Sequence, residues 1–213
     1  MNMMTMATWL ALIIRHALLP SPAAEPSLMG MPNSAKWTAE MVLALPDDGR
    51  RHEVVDGELL VTPAPAWRHQ HMMGALHARL REWLRVHPVG TVILAPADVV
   101  VDQHTLVEPD LFVVPLVDGR KPANWQEAGR LMLVIEILSP SSARADRYLK
   151  RYRYQRAGVP EYWIVDLDAR LIERWLPDDS RPELVAEHLV WQPDAGGPSL
   201  EIELPELFGE VGD

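Results

Sequence analysis

Residues 131 to 138 read Leu-Met-Leu-Val-Ile-Glu-Ile-Leu, an apolar run broken by one polar side chain. A short run of that kind reads as a central β-strand covered on both faces. Such a strand needs packed layers on either side, which points to a mixed α/β sandwich. The exception, Glu136, is as informative as the run. A carboxylate inside an apolar strand is costly unless it is paired, protonated or bound to a metal. The alternative is that Glu136 sits at the strand end with an arginine partner.

The rest of the chain supplies the layers. Thr38 to Leu45 spaces Met41, Val42 and Leu45 along one face of a short helix, and Pro46-Asp47-Asp48-Gly49 turns the chain. Arg51 to Thr62 reads as a hairpin around Asp56-Gly57. His69 to Val86 is the longest helical pattern, with Met72, Met73, Leu76, Leu80, Trp83 and Leu84 at three- and four-residue spacing. Thr91 to Leu94 and Asp98 to Val101 flank Pro96, which marks a bend or an edge. Leu106 to Val114 reads as a further strand. Ala143 to Ala157 reads as a helix with Ala145, Tyr148, Leu149 and Tyr152 as its apolar stripe and Gly158 as its cap. Glu161 to Asp166 and Leu171 to Leu176 form a second hairpin; Leu184 to Trp191 and Leu200 to Leu204 add late strands. The order predicts one α/β domain, a mixed sheet flanked by helices, with an N-terminal β-hairpin and additional C-terminal strands. A length of 213 residues suits one domain.

Composition narrows the chemistry. The chain has no cysteine, which excludes disulfides, thiolate zinc sites, a cysteine nucleophile and iron–sulfur clusters. This composition fits a reducing compartment, and a cytoplasmic protein is expected. The net charge of −10 argues against a nucleic-acid binder that uses its whole surface. Ser141 to Arg156, however, carries Arg144, Arg147, Lys150, Arg151, Arg153 and Arg156 against the single acid Asp146. A polyanion should meet the protein there. At the N-terminus, the apolar run Ala7 to Ile14 is far too short to span a bilayer. Residues 1–30 read as a poorly structured extension or a wrong start, with Met31 opening the domain 31–213.

Three residues stand out as a constellation. Asp110 follows Pro109 and opens an apolar strand; by itself it could equally be a turn residue. With Glu136 on a neighbouring strand, it can share a hard divalent cation. Lys150 lies on the following helix, where an ammonium could orient a water or offset charge on a phosphate; alone it reads as a solvated lysine. Ser139-Pro140-Ser141-Ser142 lacks the flanking glycines of a nucleophile elbow and suits a loop before a helix. Tyr148 and Tyr152 are expected in the core, although with Tyr154 they could stack on bases.

Glu108-Pro109-Asp110, then Ile135-Glu136-Ile137, then Lys150 resembles the PD-(D/E)XK nuclease superfamily. More specifically the chain resembles the Uma2 family of restriction-endonuclease-like proteins, through His52-Glu53-Val54-Val55-Asp56-Gly57-Glu58-Leu59, Pro63-Ala64-Pro65 with His69, the Ile135-Glu136-Ile137-Leu138-Ser139-Pro140-Ser141 stretch, and Gly158-Val159-Pro160-Glu161-Tyr162-Trp163-Ile164-Val165-Asp166. The likeness runs from about Met31 to Phe208. One departure matters: Leu138 stands where the simple motif has lysine, and Lys150 on the next helix fits the displaced lysine.

The resemblance implies a restriction-endonuclease-like fold and Mg²⁺-dependent cleavage of DNA, with Mn²⁺ as a second option for the ion. It implies Asp110 and Glu136 as metal ligands, the backbone carbonyl of Ile137 as a further ligand, and Lys150 as the residue assisting the attacking water. Glu53 is a candidate extra acid, and Glu58 a weaker one. His69 could face the site, whereas His71 cannot share its helix face. Arg144, Arg147, Arg151 and Arg153 are candidate DNA contacts, and a homodimer would suit double-strand cutting. Two other readings stay open: a non-catalytic nucleic-acid-binding protein on the same fold, and a metal-dependent hydrolase of another phosphate ester.

Overall fold

The structure is a computed structural model that describes residues 36–212, so the expectations for residues 1–30 lie outside the described residues. A short helix, α1 (Ala39–Leu43), is capped by Thr38, whose hydroxyl accepts from the Met41 N–H at 3.2 Å. Strands β1 (Arg51–Val55) and β2 (Glu58–Thr62) pair with Val55 opposite Glu58. The two-residue turn between them has positive φ at both Asp56 and Gly57, the conformation that a tight hairpin needs. Gly57 is required for a second reason: a Cβ there would come within 2.8 Å of the Lys36 side chain. Helix α2 spans Trp67–Val86.

Then follow β3 (Gly90–Leu94), β4 (Val99–Asp102), β5 (Thr105–Val107), β6 (Leu111–Pro115), the one-turn helix α3 (Trp125–Ala128) and β7 (Leu133–Ile137). Helix α4 opens with a π-helical stretch over Ala145–Lys150 and continues as an α-helix over Arg151–Arg156. The chain finishes with β8 (Tyr162–Asp166), β9 (Leu171–Trp175), β10 (Glu183–Val185), β11 (His188–Trp191), β12 (Leu200–Glu203) and α5 (Leu204–Val211).

The main sheet runs β10-β9-β8-β7-β6-β3, and a second sheet runs β2-β1-β5-β4. In the main sheet β7 pairs with β8 in parallel and with β6 antiparallel, so the sheet is mixed. All five residues of β7 are buried. Its alternation divides the core. Leu133, Ile135 and Ile137 pack with Met72, Leu76 and Leu80 of α2 and with Leu207 and Phe208 of α5. Val134 points the other way, into a cluster with Phe112, Val114, Ile164, Tyr162 and Tyr154. Glu136 shares that second face.

Four expectations are corrected. The Leu106 to Val114 run is two strands in different sheets, because Glu108-Pro109-Asp110 interrupts the pairing and carries the chain from β5 to β6. Leu184 to Trp191 also divides: β10 extends the main sheet, whereas β11 pairs with β12 apart from it. Leu204 does not end a strand. It opens α5, which buries Leu204, Leu207, Phe208 and Val211 at helical spacing, with Pro205 in its first turn. Finally, Tyr148 and Tyr152 are 65% and 51% exposed, while Tyr154 is fully buried. The inward face of α4 is Asp146, Lys150 and Tyr154, four residues apart. That face carries charge because it meets carboxylates rather than apolar side chains.

Candidate active site

The geometry of the site begins in the β6–β7 register. Leu111 pairs with Ile135, so one step further along the antiparallel ladder Asp110 lies opposite Glu136. Directly opposed residues share a face, which puts both carboxylates on the α4 side of the sheet. The second sheet contributes Glu53 from β1, and α2 contributes His69 from its first turn. Asp110, Glu136, Lys150, Glu53, His69 and Ile137, together with Arg51, line one cleft of about 350 Å³, whose lining also includes Pro63 to Ala66 and Ser139 to Ser142.

Lys150 is the hub. Its Nζ lies 2.8 Å from Glu53 Oε2, 3.1 Å from Glu136 Oε1 and 3.4 Å from Asp146 Oδ1. All four residues are buried. Burial alone would push the ammonium pKa down, but the charges of Glu136, Glu53 and Asp146 outweigh it and hold Lys150 well above the ordinary lysine value. Burial pushes the Glu136 carboxyl well up; Lys150 opposes the shift, and the neighbouring Asp146, Asp110 and Glu53 add to it. The Tyr154 hydroxyl, kept protonated by burial and by Glu136, donates to Glu136 Oε1 at 3.2 Å.

Asp110 is held differently. Both terminal nitrogens of Arg51 donate to its Oδ1 at 3.0 Å. His69 Nε2 lies 3.0 Å from Oδ2, and the Ile137 N–H donates to the same oxygen at 2.8 Å. Burial raises the Asp110 carboxyl, but His69, Arg51 and the Ile137 N–H outweigh it and hold it below the usual aspartate value.

Two members escaped sequence reasoning. Asp146 is buried behind Lys150, one turn earlier on α4, and its Oδ1 has no hydrogen-bond partner among the described residues. The Asp146–Lys150 spacing was the available signal, hidden by the tyrosine stripe. Arg51 shares the face of Glu53 by simple strand alternation. Other candidates lie elsewhere: Glu58 and His71 are exposed. Arg144 is exposed too. Arg147 pairs with Asp166 at 2.8 Å and Glu173 at 2.6 Å, Arg153 pairs with Asp102 and Asp56, and Arg151 bonds Gln155 and stacks on Trp175 at 4.6 Å.

The donors suit a hard divalent cation in kind: Glu53, Asp110, Glu136 and Asp146 offer carboxylate oxygens, and they outnumber the cations Arg51 and Lys150. Among the described residues, no three His, Cys, Asp or Glu side chains form a ready-made ligand set; Arg51 and Lys150 stand among the acids instead.

A family model described as "Uma2: Putative restriction endonuclease" matches residues 39–205. The crystal structure of "a putative nuclease belonging to DUF820" from Anabaena variabilis resembles this fold with a TM-score of 0.65 at 18% sequence identity, covering 82% of this chain and 99% of that chain. No curated protein matches the chain.

Proposed function

The chain belongs to the Uma2 family of restriction-endonuclease-like proteins, and from that premise we propose that it is a Mg²⁺-dependent endonuclease that hydrolyses DNA phosphodiester bonds. The observation that carries the reading is the convergence of Asp110, Glu136 and Lys150 on one cleft. Asp110 and Glu136 would hold the ion, with the Ile137 carbonyl as a further ligand and Mn²⁺ as a substitute metal. A bound ion would lower the pKa of a water and neutralise charge developing on the phosphate.

The chain's own residues do the rest. His69 and the Ile137 N–H fix the orientation of Asp110, so one carboxylate is aimed before substrate arrives. Tyr154 does the same for Glu136. Lys150 keeps a positive charge beside Glu136, where it can orient the attacking water and offset phosphate charge. Glu53 ties that ammonium to the opposite sheet.

The test is cleavage of plasmid and branched DNA with Mg²⁺ or Mn²⁺, against EDTA. We expect metal-dependent cleavage that Glu136→Ala abolishes; an active Glu136→Ala protein would sink the mechanism. A second reading, a hydrolase of a smaller phosphate ester, is favoured by the internal pairing of Arg147 and Arg153, which takes these two α4 cations away from a DNA backbone. Metal-dependent turnover of a small phosphodiester, with DNA left intact, would select it.

A further inference from the structure

The cleft holds a cation that this chemistry does not use. Arg51 opens β1, and its side chain is 18% exposed at the cleft wall. Its Nε lies 2.8 Å from Glu108 Oε1 while its two terminal nitrogens donate to Asp110 Oδ1. A carboxylate offers about four lone-pair sites. Arg51 takes two of those on Asp110, and His69 and the Ile137 N–H take the others. A divalent ion binding Asp110 must therefore displace a donor. The Ile137 N–H is fixed in the β7 backbone, and His69 is packed at the start of α2 with 7% exposure. Arg51 reaches Asp110 through a long, rotatable stem, and Glu108 offers it a second anchor.

We propose that Arg51 is a resident competitor for the metal position: its guanidinium occupies Asp110 Oδ1 until a divalent cation takes that oxygen, and Glu108 then retains the displaced arginine at the cleft wall. The exchange keeps the acids compensated throughout, since one cation leaves Asp110 as another arrives. Carboxylates stripped of both would repel one another strongly in a buried setting. Metal affinity is accordingly set by Arg51 as well as by the ligands. This inference rests on the metal-dependent reading of the site.

The test is Mn²⁺ binding, by calorimetry and by the loss of the free-ion paramagnetic resonance signal, on the full chain with Arg51, Arg51→Gln and Arg51→Lys. Plasmid cleavage is measured alongside. Removing a unit charge at hydrogen-bond distance should tighten Mn²⁺ binding by about tenfold or more in Arg51→Gln. Arg51→Lys, which keeps the charge but loses the two-nitrogen grip on Oδ1, should bind several-fold tighter than the wild type, and it carries the test if the Gln variant does not fold. Equal or weaker binding in the variants, with a wild type that binds Mn²⁺ and cleaves, overturns the proposal and leaves the endonuclease reading standing. Tightening in Gln with Lys matching the wild type also overturns it, because the effect would then be one of charge at a distance. No Mn²⁺ binding by any of the three overturns both readings.

Discussion

Lys150 directs its ammonium at three buried carboxylates that come from three separate parts of the chain, β1, β7 and α4. It is thus a fastener between the two sheets and the helix as well as a candidate catalytic cation. Removing it would strand Glu53, Glu136 and Asp146 without their shared partner. Breaking a buried ionic cluster by deleting one side is strongly destabilising, by about 3–5 kcal/mol. Lys150→Met should therefore lower the unfolding free energy from urea denaturation by that order, a larger loss than a surface lysine could give; an unchanged unfolding free energy would show that the acids relax to solvent. At this scale the sequence was readable where a polar residue violated an apolar pattern. Glu136 stands in a strand that is otherwise apolar, and Asp110 opens another. Asp146 and Arg51 broke no pattern, since a basic helix hides one acid and a strand edge accepts an arginine. Their roles come from what lies across the cleft, which a single strand or helix does not reveal.

Helix α4 shows how far an element can be predicted from its own residues. Its position and length follow from the sequence, and its orientation does not. A hydrophobic stripe through Tyr148 and Tyr152 is the natural choice by periodicity, yet the buried face is Asp146, Lys150 and Tyr154. Charge burial there is compensated from outside the helix, by Glu53 and Glu136, so the rule that apolar faces turn inward fails locally. The expected strand is split at Glu108-Pro109-Asp110, where Pro109 has no N–H to give a ladder, and the break between sheets delivers Asp110 to the cleft. The orientation can be tested by stability. Tyr148→Ala and Tyr152→Ala should each change unfolding free energy by less than about 0.5 kcal/mol, as exposed positions do. Tyr154→Ala should cost about 3–5 kcal/mol through the cavity it leaves, and Tyr154→Phe about 1 kcal/mol through the lost hydrogen bond to Glu136. Large losses at Tyr148 or Tyr152 would mean that the helix is turned the other way.

For the molecule as a whole, electrostatics sets how DNA could be engaged. The net charge is −10, and the arginines of α4 that the sequence offered as a basic face are mostly bonded within the protein. Arg147 and Arg153 each answer two acids, and Arg151 lies over Trp175. Arg144 is the exposed member of the four. Each phosphate neutralised by a free cation releases counterions and steepens the fall of affinity with salt, by about 0.9 per contact on logarithmic axes for duplex DNA. A protein gripping six to ten phosphates has a correspondingly steep slope, whereas an α4 face whose arginines are mostly matched can offer few contacts. DNA binding by the Glu136→Ala protein, followed by fluorescence anisotropy across a salt series, should give a slope shallower than about −3. Arg144→Ala should flatten it by about one further unit. Replacing Arg147 and Arg153 should cost stability and leave the slope unchanged, since their charges face Asp166, Glu173, Asp102 and Asp56. A steep slope that collapses on replacing Arg147 and Arg153 would mean that these arginines abandon their internal partners when DNA arrives, and the basic helix would then be the binding face after all.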